Sequence, residues 1–389
     1  MQFLKDYLYR FFNPEIETTS TFDVFDIDFL KARKIVFSKN IDGAEGISKD
    51  SDKHIHAYIL GVDSLSLSIA KQLALLCHFP NFDDRKGANR TIITIVTTGS
   101  AIDAMNQFRA MTANLLDYAL WRCVENGNEV KKCNRQHSFI DIEFEFIKAD
   151  VANILKLKKD DCNSVSSIFY SDDTPLEREV VRKFDVIYRY NSEEITIDKS
   201  IDISRAMLVN TVYSKCGNID TIYKANAFNA ESYSEYLENT CRYVRTTKIK
   251  EFWDGIATNE LKLSNVFCAD TFRMKLRSVG AQPDDNINTI SSHIGENLEA
   301  LSYLEHARWN VEKLILGFRP LNEQEWGQYT SKSKDEKKVY AKKLKAQKIH
   351  LNICSISELK RIDPGNFKYD CLLCLSIPHI ISRAKRLNP

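Results

Sequence analysis

No stretch of this chain approaches the ~18 consecutive apolar residues of a membrane-spanning helix, so nothing in it reads as crossing a bilayer. Net charge is almost absent too: 54 Lys and Arg stand against 53 Asp and Glu. A balance of +1 gives no global attraction to DNA or RNA, so nucleic acid is not an expected partner. There is no P-loop, no HExxH and no G-x-S-x-G, and the histidines other than His306 are scattered. No catalytic grouping is therefore legible, and a non-enzymatic role is expected. The ten cysteines form no even framework and no secretory signal precedes them, which points to reduced thiols in a cytoplasm. Cys371 and Cys374 make a CxxC, but within the apolar run CLLCLSIPHII and without a second pair. They read as core residues, not as a metal or redox site.

What is present is ordinary in bulk, 43% hydrophobic and 28% charged, and its 389 residues suggest two or three domains. MQFLKDYLYRFF (1–12) could lie in a membrane interface but not cross one. Its two basic residues give little lipid attraction, which favours docking on its own protein or a second copy in a homo-oligomer. Residues 13–22 read as a linker, and FDVFDIDFLKARKIVF as a strand-then-helix lead-in that completes residues 1–53. From 54 to 200 the pattern is α/β. HIHAYILG, TIITIVTT, SFIDIEFEFIKAD, SIFYS and FDVIYRYN read as strands, and residues 100–126 as one long helix. Strands alternating with helices imply a doubly wound parallel sheet, with a ligand crevice at the strands' carboxyl ends near Gly61 and Thr97.

The most informative stretch is ENLEALSYLEHARWNVEKLILGFR (296–319). Its apolar repeat predicts a buried helix ending at Gly317, and Glu305, Arg308, Trp309 and Glu312 fall on one face at i, i+3, i+4 and i+7. A surface helix with internal ion pairs has the same pattern.

These features resemble a family of prokaryotic proteins that join a TrkA-type Rossmann domain to ryanodine-receptor (RyR) domains. IHAYILG and the helix ending LALLCHFPN are similar to the nucleotide-binding half. Glu305, His306, Arg308, Trp309, Glu312, Gly317 and Phe318 occupy matching positions of the RyR signature. The resemblance covers most of residues 23–384 and implies an all-α RyR domain of paired repeats, a first degenerate one at 201–283 and a second at 284–389. It also implies recognition of a small, nucleotide-derived ligand.

Where a dinucleotide fingerprint would read G-x-G-x-x-G, this chain reads Gly61-Val62-Asp63-Ser64-Leu65-Ser66. Asp63 sets a carboxylate near any phosphate, and Val96-Thr97-Thr98 offers no acid to ribose hydroxyls, so NAD is a poor fit. Gly61, Asp63, Ser64, Ser66 and Thr97 remain the candidate cofactor residues, with Ser64, Ser66 and the helix N-terminus able to hold some anionic group.

An internal repeat lays 253–276 on 353–375, matching Leu261-Lys262 to Leu359-Lys360 and Asp270 to Asp370. Each copy reads as an extended ELK segment, a turn and a helix. Between the parts of the second unit, 331–350 is rich in lysine, as a solvated helix or loop or as a basic flap. His306, Arg308, Trp309, Lys313 and Arg319 would face Tyr369 and Asp370 across a cleft, giving a stacked base and a charge-held phosphate or ribose. The expected protein is a cytoplasmic ligand sensor that signals to a partner. Alternatives are a regulatory subunit of an ion transport system and an NAD(P)-dependent oxidoreductase. On this reading, replacing Arg308 and Trp309 by Ala abolishes ligand binding and leaves the fold intact.

Overall fold

A computed structural model describes residues 26–83, 86–150, 154–157, 161–195, 203–215, 237–238, 240–241, 244–256, 258–362 and 364–387. The readings of residues 1–22, and the strand part of the lead-in, lie outside the described residues.

The α/β part starts with α1 (Ile27–Phe37), capped by Asp26, whose carboxylate accepts from Phe29 N. It continues through β1 (His54–Leu60), α2 (Ser64–Leu76), β2 (Thr91–Thr97), α3 (Ala101–Thr112) and α4 (Leu115–Tyr118). Then come β3 (Leu120–Glu125), β4 (Asn128–Lys132), β5 (Ile142–Lys148), α5 (Ile154–Leu157), β6 (Ser164–Ser171), α6 (Arg178–Val181) and β7 (Val186–Tyr190). The seven strands form one sheet ordered β4-β3-β5-β2-β1-β6-β7, parallel at every pair except β3–β4. Strand alternation separates its two faces. Ile55, Ala57, Ile59, Ile93, Ile95, Phe144 and Phe146 join α2 and α3 in the main core. Tyr58, Leu60, Val96, Ile168 and Tyr170 face the other way, against Val180, Val181 and Phe184. Apolar residues on both faces explain why the central strands read as nearly unbroken hydrophobic runs.

The long helix expected over 100–126 does not exist. Ala113 takes φ 47° and breaks it after α3. LWRCVE then pairs with NEVKK across a turn in which Asn126 and Gly127 have φ 52° and 78°. Asn-Gly suits such a turn because both positions need positive φ. α1, assigned to a separate lead-in, buries Ala32, Ile35 and Val36 in the main core.

The rest is helical: α7 (Ser204–Lys215), α8 (Thr246–Asp254), α9 (Asn259–Asp270), α10 (Phe272–Ser278), α11 (Ile287–Glu296), α12 (Leu298–Ile315), α13 (Glu323–Thr330), α14 (Lys334–Ala346), α15 (Ile356–Ile362) and α16 (Pro364–Leu387). Neither ELK is extended. Residues 260–262 sit in the first turn of α9, capped by Thr258 Oγ1, and residues 358–360 lie within α15. The matched segments also differ in shape, helices of 12 and 7 residues in one and 7 and 24 in the other. Cys371 and Cys374 are buried in the helical core. The lysine-rich stretch is mostly α14, a solvated helix opened by a capping box of Ser333 and Glu336. No helix among the described residues is long and apolar enough to cross a membrane.

Polar contacts that join the helical part to the α/β part include the bond from Arg273 Nη1 to Phe37 O, at 3.2 Å, and three larger sets. Arg33 on α1 grips Asp270 on α9 through two bonds, of 2.7 and 2.5 Å. Arg277 on α10 donates Nε to Asp42, at 2.9 Å to the nearer oxygen, and Nη2 to Gly43 O and Ala44 O. Gly46 lets this segment approach, since a Cβ there would sit 2.8 Å from Arg277 O. Asn114, next to the α3–α4 break, donates to Leu314 O, Gly317 O and Phe318 O at the end of α12. Replacing Arg277 by Met leaves the Asp42 carboxylate buried without its cation. Urea titration should show a loss of about 3 kcal/mol of unfolding free energy, whereas a loss under about 1 kcal/mol would mean that the clamp does not hold the halves together.

Candidate functional site

α12 carries most of the predicted site residues. It ends as expected: Gly317 has φ 83°, Gly317 N donates to Leu314 O and Phe318 N to Lys313 O, a Schellman closure. Its charged stripe, however, faces inward. Glu305 and Glu312 are 0% exposed and Arg308 is 1% exposed. Arg308 donates Nε and Nη2 to Glu305 and Nη1 to Glu312. Lys275, fully buried on α10, donates to Glu305 Oε2, which it shares with Arg308 Nε. Lys313 and Ser264 complete Glu312. Burial alone would raise the Glu305 carboxyl, but Arg308 and Lys275 outweigh it and hold it down at about 2. Glu312 is lowered too, where Lys313 and Arg308 overcome desolvation. These bonds saturate one another, so the stripe works as an internal brace and not as a ligand wall. Removing Arg308 therefore strikes the fold, contrary to the expectation that it would be spared.

The other predicted residues scatter. Arg319 makes a bidentate pair with Glu325, both bonds 2.7 Å, and its backbone bridges to Ile349 at the base of the α13–α14 hairpin. Trp309 is half-buried, 5.0 Å edge-on from His350 and under Lys313. Burial keeps His350 neutral, its imidazole lowered to about 3. Tyr369 lies half-buried on α16, with the Lys368 ammonium 5.2 Å from its ring. Asp370 does meet His306, at 3.3 Å from Nδ1, while Nε2 of His306 faces Cys354 O at 3.1 Å.

At the carboxyl end of β1, Asp63 caps α2. Its Oδ1 accepts from Leu65 N and Ser66 N, both at 3.0 Å, and its Oδ2 from Ser66 Oγ at 2.6 Å. Gly61 (φ 118°) allows this, since a Cβ would lie 3.0 Å from both Asp63 Oδ2 and Ser66 Oγ. Ser64 opens the helix, and Thr97 Oγ1 accepts from Gly99 N. The amides that would cradle a pyrophosphate are thus taken by the protein's own carboxylate.

A cleft of about 960 Å³ lies at the opposite, amino end of the strands, between the two parts. The loop before β2 supplies Asn81, Phe82 and Asp83, the chain before β5 supplies Phe139, and α12 presents Tyr303, His306 and Asn310. These three α12 residues stand at i, i+3 and i+7 on a stripe beside the charged one. Sequence reasoning took only His306 from it, although the spacing was visible. His306 and Asn310 Nδ2 both hold Cys354 O, which fixes the loop that closes this wall. Asn81 Oδ1 and Asn310 Oδ1 are buried without a hydrogen-bond partner, an omission that costs about 1–3 kcal/mol each. Among the described residues no group of His, Cys, Asp and Glu could hold a metal ion.

No family model, curated protein or solved structure matches the chain.

Two outcomes follow from these buried groups. Arg308→Ala, which takes one of its two cations from each of two buried carboxylates, should cost about 3–5 kcal/mol in urea unfolding, and a change within about 0.5 kcal/mol would contradict it. Acid should unfold the protein in two overlapping ranges. Glu305 is lower folded than its usual 4.5, so its contribution is full above 4.5 and falls as pH drops toward about 2. His350 is likewise lowered, so its contribution is full above 6.5 and is lost on the way to about 3. Stability measured against pH should begin to decline just below 6.5, and His350→Phe should lessen that first part, the imidazole of His379, also lowered by burial, supplying the rest. A flat profile from 6.5 to 4.5 in the native chain would contradict the buried neutral imidazole.

Proposed function

We propose that this chain is a ligand-sensing protein, of the kind its resemblance to prokaryotic RyR-domain proteins implies, and that the ligand enters the cleft between the α/β and helical parts. The observation that carries this reading is that the cleft's walls come from both parts. A volume of about 960 Å³ suits a ligand of nucleoside or nucleotide size. A ligand held by Phe82 and Asn81 on one side and by Tyr303 and Asn310 on the other favours one arrangement of the two parts. That difference in affinity is what a sensor passes to a partner or a second copy. The charged stripe contributes indirectly, by holding α12 rigid beneath the cleft.

The oxidoreductase alternative gains no support from the geometry, because Asp63 occupies the helix N-terminus that a dinucleotide would need.

A thermal-shift series with nucleosides, nucleotides, cyclic nucleotides, ADP-ribose and NAD tests the proposal. A ligand at a hundredfold excess over its dissociation constant stabilises the native state by about 2.7 kcal/mol. The shift should disappear in Tyr303→Ala and in Asn310→Leu and survive Ser64→Ala at the other end of the sheet. The opposite pattern would move the site to the carboxyl ends of the strands. No shift with any compound would end the sensor reading.

A further inference from the structure

The α13–α14 hairpin has a small core of its own. No residue of α13 is buried, and Leu344 is the one buried residue of α14. Leu344 packs with Leu321 and Ile349, and Trp326, Tyr329 and Tyr340 are partly buried against them. None of these residues joins the three larger clusters, so the hairpin does not complete the core of either part.

Its outer surface is positively charged in a regular way. Lys334, Lys338, Lys342 and Lys345 follow at i, i+4, i+8 and i+11, an exposed stripe that runs about 16 Å along α14. Lys338 lies 3.6 Å from Asp335, and the other three pair with no carboxylate among the described residues. Like charges at this spacing destabilise a helix. The helix dipole offsets that only in the last turn, where Lys343 and Lys345 stand. Carboxylates brought from outside would relieve the rest. Lys342 and Lys345 also border a pocket of about 200 Å³ lined by Tyr329, Leu344, Ile349 and Leu351. It is smaller than the ~300–1,000 Å³ of small-molecule sites and suits one large apolar side chain.

We infer that this hairpin docks an acidic segment of a partner protein, with carboxylates on the lysine stripe and one apolar side chain in the pocket. Other anionic partners fit less well. Nucleic acid is held largely by arginine and by exposed aromatic faces. Residues 320–360 contain no arginine, and the three aromatic rings pack into the hairpin's own core. A membrane surface calls for several large apolar side chains on the outer face, and among those of the hairpin only Val339 is exposed. The inference is independent of the cleft, because none of these lysines lines it.

Fluorescence anisotropy of the full chain with a short labelled peptide of Glu and Asp around one central Phe tests the inference. The peptide should bind, and its affinity should fall as salt rises. Lys342→Glu with Lys345→Glu, both at exposed positions, should weaken it by roughly tenfold or more at low salt. Lys131→Glu with Lys132→Glu, exposed on β4, makes the same change in net charge and should have a much smaller effect. Replacing the Phe of the peptide by Ser should weaken binding by roughly tenfold. Circular dichroism checks that both variants are folded. No binding of the Phe peptide, an equal loss in the two variants, or indifference to the Phe would overturn the inference. Tighter binding to phosphatidylserine vesicles or to single-stranded RNA would overturn it too. So would a dimer, seen by sedimentation, that the Lys342 and Lys345 changes dissolve, since each of these gives the hairpin another occupant. Failure of the peptide leaves the cleft proposal standing, and a thermal-shift series without a ligand leaves this one standing.

Discussion

A guanidinium cannot be left bare in a protein interior, and Arg308 is almost wholly enclosed. That single constraint orders the helical part. Two carboxylates of α12 turn inward to meet it, and Lys275 from α10 supplies Glu305 with a second cation. Two residues on, α10 carries Arg277, which grips Asp42 in the segment leading to β1. A chain of charge-assisted bonds thus runs from the middle of α12 to the edge of the sheet. Such bonds need exact geometry to offset desolvation, so they contribute more to a unique arrangement than to net stability.

Turning the charged stripe inward leaves the neighbouring stripe of α12 to face the α/β part. Tyr303, His306 and Asn310 therefore line the cleft on its helical side, with the buried ion pairs of α12 behind them. The sheet contributes loops from its amino edge. At its carboxyl edge, where mostly parallel sheets commonly take ligands, Asp63 fills the helix N-terminus. On the reading proposed above, the ligand enters at the end of the sheet opposite to the one that the strand pattern suggested.

Much of the fold was legible because it is encoded locally. β1 and β2 are buried on both faces and read as apolar runs, and Gly317 marked the end of α12 by the positive φ it supplies. The hairpin after α4 escaped notice because ALWRCV continues a helical pattern, and Ala113 gives no hint in sequence that it will break the helix. Glu305, Arg308 and Glu312 were recognised as a unit, but not which way they face. Their burial depends on Lys275, 30 residues from Glu305 and on another helix, so no local pattern reveals it. Asn81 and Asn310 were invisible for the same reason. Their significance lies in a hydrogen bond left unmade, and that is a property of the tertiary structure alone.

α12 also belongs to two cores at once. Leu298 and Leu301 pack in the helical cluster, whereas Val311, Leu314 and Ile315 pack with the sheet and its helices. Arg33 meets its carboxylate 237 residues later in the chain. At a synthesis rate of roughly 5–20 residues per second, that separation is roughly ten to fifty seconds on the ribosome. From the end of β7 until α12 has been made, the nascent sheet also lacks the apolar cover that α12 supplies. The α/β part is thus translated before the helix that completes its core, and until then it exposes an apolar surface that the folded protein covers.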